Sequence, residues 1–356
     1  MSRNQQFASM KVFLAAALLA AGFAAVATAD PLPGRDKLKF SQLPMIDTPV
    51  NDNNGTVQKF NGHDELSTAY GFFNTAINAI PSYDGRFMAD DFADLSNDPV
   101  LHVKWWGSYL LNNPNVPVNK FLISFESDTP AGPAPSFSHP DQPLLNQVVF
   151  KGPLAPGSGT YTETLLPGTT SVDGPIYEYN AELHLNKPFP EKADTVYWLK
   201  IAAMVDVPAA AGTFDPYNPQ TSLVPMTQWG WHNRDYTMQD TLASTSVAGG
   251  GEILDGNING TSIYHFQDDA VTGDVRINVL GSGGLVMPDV FQPVANMLPT
   301  FYKDGIDGPA GAVPGAQGIS HFSKDLAFNL YTYQVPEPSS CLLMLMGLVG
   351  LFRRRR

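Results

Sequence analysis

Thirty prolines and 31 glycines among 356 residues leave little room for long helices. Each proline fixes its own φ, lacks an amide hydrogen and turns the preceding residue away from helical backbone. Between these breaks, apolar residues gather in short runs at 100–111, 120–126, 147–150, 160–166, 176–185, 195–207, 262–266, 275–280 and 326–333. The runs are rich in Val, Ile, Tyr, Phe, Trp and Thr, which suit a pleated surface, and turn residues separate them. The pattern predicts an all-β fold, a β-sandwich of jelly-roll or Ig-like kind, rather than alternating strands and helices. Residues 195–207 are apolar on both faces and are expected at the centre of a sheet.

One N-terminal helix is expected at 63–80. Leu66, Ala69, Tyr70, Phe73, Ala76, Ile77 and Ile80 recur at helical spacing, and Pro81 stops the run, although Gly71 interrupts it. Residues 30–61, rich in Pro, Asn and Asp, read as an irregular lead-in. The organisation is therefore a segment at 1–29, a lead-in with its helix at 30–85, a sandwich at 86–334 and a terminal segment at 335–356. Within 100–111, alternation puts Trp105 in the core with Val103 and Tyr109. It turns Trp106 toward solvent, a loop or a second layer.

Both ends carry transport signals. Arg3 and Lys11 precede or flank an apolar stretch at 12–26, and Ala27-Thr28-Ala29 before Asp30 is a small-x-small cleavage site, as in a secretory signal peptide for the Sec machinery. At the other end Val335-Pro336-Glu337-Pro338 is rigid and extended, 339–352 is uncharged and apolar, and Arg353, Arg354, Arg355 and Arg356 close the chain. The apolar run is 14 residues, short of the ~20 a spanning helix needs, so transient inner-membrane insertion fits better than a permanent anchor. The triplet, helix and arginine cluster resemble the PEP-CTERM sorting signal of Gram-negative bacteria. That resemblance implies recognition by an exosortase, an integral-membrane cysteine transpeptidase, which removes the tail while passing the protein to the cell surface or an exopolysaccharide matrix. Residues 86–333 also resemble an uncharacterised passenger domain of exported proteins with such tails, which brings no activity or site residues. The motifs behind that likeness include Trp105-Trp106-Gly107, Tyr197-Trp198-Leu199 and Trp229-Gly230-Trp231-His232.

Without the two signals, 15 basic residues face 33 acidic ones, a body near −18. Such a surface lacks the basic footprint that nucleic acid requires. The single cysteine, Cys341, lies in the tail, so a chain without that tail has neither thiol catalysis nor a disulfide.

No metalloprotease helix motif, nucleophile elbow, phosphate loop or dinucleotide fingerprint occurs, and the seven histidines stand singly. The sequence demands no cofactor. Asp90 with Asp91 and Asp268 with Asp269 are candidate oxygen ligands for calcium, against a plainer reading as solvated acidic loops. Trp106, Trp229, Trp231 and His232 are candidates for an exposed platform on which sugar rings stack, against a plainer reading as core. The expected protein is thus an exported, exosortase-sorted surface or biofilm-matrix component with a structural or binding role. A carbohydrate-binding module for exopolysaccharide is one alternative, which exposure of the three tryptophans in a row favours and their burial removes. A secreted hydrolase is the other, and it requires a cleft where a nucleophile or paired carboxylates converge.

Overall fold

Strand-formers and turn-formers sort as the sequence predicts, and the chain is almost wholly β. The structure, a computed structural model, describes residues 36–52, 54–112, 118–184, 187–208, 215–219, 226–281, 283–310 and 318–333. The signal peptide with Ala27, Ala29 and Asp30, and the sorting segment at 335–356, lie outside them.

Strands β1 (Asp36–Gln42), β2 (Thr48–Asn51), β3 (Val57–Phe60), β4 (Asp64–Leu66) and β5 (Thr68–Phe72) come first. The long β6 (Ser82–Phe92) and β7 (His102–Tyr109) follow, then β8 (Lys120–Thr129), β9 (His139–Lys151), β10 (Thr160–Thr170) and β11 (Pro175–Glu182). After β12 (Tyr197–Val207) and β13 (Trp229–His232) comes the hairpin of β14 (Glu252–Ile258) and β15 (Thr261–Phe266). Its two turn residues, Asn259 and Gly260, both have positive φ, 51° and 87°. A two-residue type I′ turn needs this, and Asn-Gly supplies it. β16 (Val271–Asn278), β17 (Asp289–Phe291), β18 (Leu298–Pro299) and β19 (Phe328–Tyr333) complete the order.

One large sheet runs β1-β19-β7-β11-β10-β9-β8-β12-β5-β6-β16-β17, and β13 joins β7 to β4. β12 is central, as its two-sided apolar pattern predicts. One edge pairs with β8 from Tyr197↔Ser127 to Ala203↔Phe121, while the other is shared by β6 and β5. The sheet doubles over on itself. Trp105 of β7 and Phe121 of β8 are four strands apart along the sheet, yet their ring centroids lie 5.3 Å apart. Phe40 of β1, at one end of the path, and Phe92 of β6, nine strands along it, meet at 5.8 Å. The folded-over faces enclose a core of Phe92, Trp105, Phe121, Tyr179, Ile201 and Trp229.

The opposite face of β5, β6, β8, β12 and β16 is also covered. Alternation sends Leu199, Ile201 and Ala203 inward and Trp198, Ala202 and Met204 outward, against Phe87, Leu122, Val275 and Met297. Phe137 and Leu285 pack over this outer layer. This layer carries the candidate site.

The helix expected at 63–80 does not form. The segment is β4, β5 and a turn at 74–79 closed by an Asn74↔Ala79 bridge. Ala69 and Tyr70 are buried between strands, whereas Phe73 and Ile77 are half exposed. A helical stripe would have buried all four on one side. Pairing of both β5 edges, with β12 and β6, outweighed a short-range period that apolar runs leave ambiguous. The expected division at 85/86 also falls inside β6, and strands of the lead-in are part of the large sheet.

Candidate functional site

Polar side chains interrupt the outer layer in a band across three strands. Alternation from Leu122 brings Ser124, Glu126 and Asp128 of β8 to this face, with Trp198 and Lys200 of β12 and Asp91 of β6 beside them. The register fixes the neighbours, because Trp198 pairs with Glu126 on one side and with Asp91 on the other. The Trp198 indole donates to Asp128 Oδ1 across 2.9 Å, and the Ser138 hydroxyl donates to the same oxygen across 2.7 Å.

A cavity of about 670 Å³ opens at this end of the band, lined by Asp128, Asp194, Asp268, Ser138, Thr195 and Tyr197. Burial, and then the Asp128 carboxylate, push the Asp268 carboxyl above its usual range. Asp91 is fully buried, and neither of its oxygens has a hydrogen-bond partner among the described residues. Burial, followed by Asp90 and Asp268, holds its carboxyl well above the usual range. A cavity with such walls accepts hydrogen bonds and attracts cations, and it disfavours anions.

The acid pairs singled out for calcium are split. Neighbours in a strand point to opposite faces, so Asp90 turns inward while Asp91 turns outward. Asp90 Oδ2 accepts from the Leu326 amide at 2.7 Å and lies near Asp325 and Arg234. Asp268 belongs with Asp128 and Ser138, whereas Asp269 faces Ser323 and Asp325. Among the described residues, Asp90, Asp91, Asp268 and Asp269 do not supply three ligand atoms within 4.8 Å of one another.

The aromatic platform is absent from the surface. Trp229 and Trp231 do share a face, but it is the interior, and both are fully buried. Their indoles donate to Tyr179 Oη at 3.0 Å and to the Ala327 carbonyl at 2.9 Å. Trp106 is 2% exposed and packs in a second layer with Ile176 and Ala327. His232 is buried between Asp64 Oδ1, 3.1 Å from Nδ1, and the Met45 carbonyl, 2.9 Å from Nε2. Trp105 occupies the core as predicted, stacked on Tyr179 at 5.3 Å and 11°. The doubled-over sheet buries both faces of β7 and β13, so neither presents a stacking surface.

Among the buried polar centres unrecognised in the sequence are those of Lys200 and His63. Lys200 is a lone charge in the apolar run at 197–205, and that was its one visible signal. It is buried with Glu126, Nζ lying 2.5 Å from Oε1. The other centre is His63, whose Nδ1 is 2.5 Å from Asp307 Oδ1 and whose Nε2 is 2.9 Å from Glu65 Oε1. The ammonium of buried Lys324 lies 3.0 and 2.8 Å from the two ring nitrogens. Near-equal distances place it over the ring rather than along either lone pair. Burial, then Lys324, act to lower the His63 pKa, but the hydrogen bonds with Asp307 and Glu65 outweigh them and raise it. Nothing in the chain order of 63, 65, 307 and 324 announces this meeting.

Among the described residues no helix is long and apolar enough to cross a membrane. The family model of the PEP-CTERM protein-sorting motif matches residues 334–356, which makes the chain an exported protein sorted to the surface by exosortase-type machinery. No curated protein and no solved structure matches it. A second family model, described as a domain of unknown function, matches residues 38–263, well over half the chain. The chain therefore belongs to the DUF7901 family, a domain of unknown function, here carried on a protein with a PEP-CTERM sorting motif.

Proposed function

We propose that this domain serves a structural and binding role in the cell envelope or the exopolysaccharide matrix, and that the carboxylate-lined cavity is where it meets its surroundings. The observation that carries the reading is the cavity itself. Asp128, Asp194 and Asp268 line it together with the hydroxyl-bearing Ser138, Thr195 and Tyr197. Carboxylates and hydroxyls hydrogen-bond to neutral, polyhydroxylated chains, and they repel anionic polymers. In this reading the segment at 1–29 is removed after Ala29, so the mature chain begins at Asp30. Residues 339–352 insert only transiently in the inner membrane until the tail is cut near Pro338.

Two measurements test the proposal. Intact mass of protein from cells and medium is expected to begin at Asp30 and end near Pro338; a surface form retaining Arg353–Arg356 overturns the sorting half. Co-sedimentation with the producer's purified exopolysaccharide is expected for the wild type and is expected to weaken at least tenfold for Asp128→Asn with Asp268→Asn. Equal sedimentation of both proteins, or of neither, removes the binding role, and turnover of the polysaccharide points to a hydrolase instead.

A further inference from the structure

We propose that Lys200, Glu126 and Gln292 form a self-crosslinking site, in which the Lys200 amine displaces ammonia from the Gln292 carboxamide and joins β12 covalently to the chain just after β17. The three groups converge from distant parts of the sequence, Gln292 lying 92 positions beyond Lys200. The Lys200 Nζ contacts Gln292 Oε1 and lies 2.5 Å from Glu126 Oε1. The other oxygen of Glu126 accepts from Gln292 Nε2. One carboxyl group therefore touches both the attacking nitrogen and the nitrogen that would leave.

An ordinary buried ion pair does not require this third partner. Lys200 and Glu126 are wholly excluded from solvent, and the ammonium sits 4.3 Å from the centre of the Phe87 ring. Low polarity disfavours the separated charges, so proton transfer from Nζ to Glu126 Oε1 is eased, which yields the neutral amine that a nucleophile must be. Burial indeed lowers the Lys200 pKa, against the opposing pull of Glu126.

The step balances without any oxidant or co-reactant. The Nζ lone pair attacks Gln292 Cδ, and the Nζ–Cδ bond forms. The protonated Glu126 returns a proton through its second oxygen to Nε2, the Cδ–Nε2 bond breaks, and ammonia departs. One of the two protons left on Nζ passes to Glu126 and the other stays as the amide N–H. Glu126 then hands its proton to the departing ammonia, which leaves as ammonium, and regains its starting charge. The product is a secondary amide, one ammonia lighter than the sequence predicts. Gln292 lines a cavity of about 280 Å³ with Pro140, Pro143 and Phe291, which gives the leaving molecule an exit. The two reacting side chains are held in contact before reaction, Nζ meeting the carboxamide at Oε1, one bond from Cδ. It would also supply a covalent tie to a chain whose one cysteine cannot form an internal disulfide.

Tryptic mapping of the denatured protein recovered from its producing cells tests this. Trypsin cutting freely at Lys200 would release 201–234 and, separately, 277–303. The expected result is instead one species joining 193–234 to 277–303, uncut at Lys200 and short by one ammonia. Glu126→Gln is expected to fold and to give the free peptides. The half-buried position allows a second variant, Gln292→Leu, expected to lose the link and to melt several degrees lower than the wild type. Free peptides of full mass from folded wild-type protein overturn the proposal and leave a structural ion pair. A link that persists in Glu126→Gln overturns the relay assigned to Glu126.

Discussion

The Arg234 guanidinium donates to Asp325 Oδ2 across 2.7 Å, and neither side chain is exposed at all. The same guanidinium also holds Glu252, and Asp325 Oδ2 accepts from the Phe266 amide at 2.7 Å. One cation thus secures β15, the start of β14 and the approach to β19 from within. Burial pushes the Asp325 carboxyl up to about 7, with Arg234 opposing.

Removing the cation leaves buried carboxylates uncompensated. Arg234→Met is expected to cost about 3–5 kcal/mol at pH 7, read from the urea midpoint at unchanged slope. A loss below about 1 kcal/mol would mean that Asp325 is already neutral in the native state.

A second buried cation faces the same excess of acid. Lys39 Nζ lies 2.8 Å from Glu191 Oε2 and 3.1 Å from Asp94 Oδ2, so two acids share one ammonium. Burial pushes Glu191 up to about 8, against the pull of Lys39. Its folded pKa exceeds its unfolded value near 4.5, so the native state binds more protons between those values. This contribution is present at low pH and is lost as pH rises through about 8. Glu191→Gln is expected to flatten the fall in melting temperature between pH 5 and about 8; an unchanged slope contradicts the assignment.

The His63 centre contributes in two windows. Its own raised pKa adds stability below 6.5 that is lost as pH climbs through the folded value. Glu65, lowered well below its usual value, and Asp307, lowered as well, add stability above their unfolded values that is lost on acidification. Both oppose burial mainly through Lys324. His63→Gln is therefore expected to reduce the loss of stability above pH 6.5, while Lys324→Met is expected to destabilise at neutral pH. Thermal melts across pH distinguish the two.

Gly107 offers a steric test. An added Cβ would overlap the Gly230 carbonyl oxygen and the Trp229 ring, where β7 pairs with β13. Gly107→Ala is expected to cost about 1–3 kcal/mol, with loss of near-ultraviolet tryptophan signal as β13 shifts.

Strands were legible because their signal is local. Runs of β-branched and aromatic residues between prolines and glycines are complete within ten residues, and β8, β12 and β19 fall where the runs do. The helix at 63–80 failed because β5 owes its form to two partners distant in sequence. Trp106, Trp229 and Trp231 were read as surface candidates because alternation separates faces without saying whether a second layer covers one. The acid pairs Asp90-Asp91 and Asp268-Asp269 misled for the opposite reason, since alternation itself sends Asp90 and Asp91 apart. Lys200, Glu126 and Gln292 meet only through register and the approach of β17, and no spacing records that.

Among the described residues, β1 finds a sheet partner only in β19, the last strand described, which lies between it and β7. The first described strand thus depends on the last for its place in the sheet. That edge of the sheet closes by the longest loop in the fold, joining strands from opposite ends of the described chain. The two ends of the described chain therefore hold one another in place, and loosening β19 frees β1 as well.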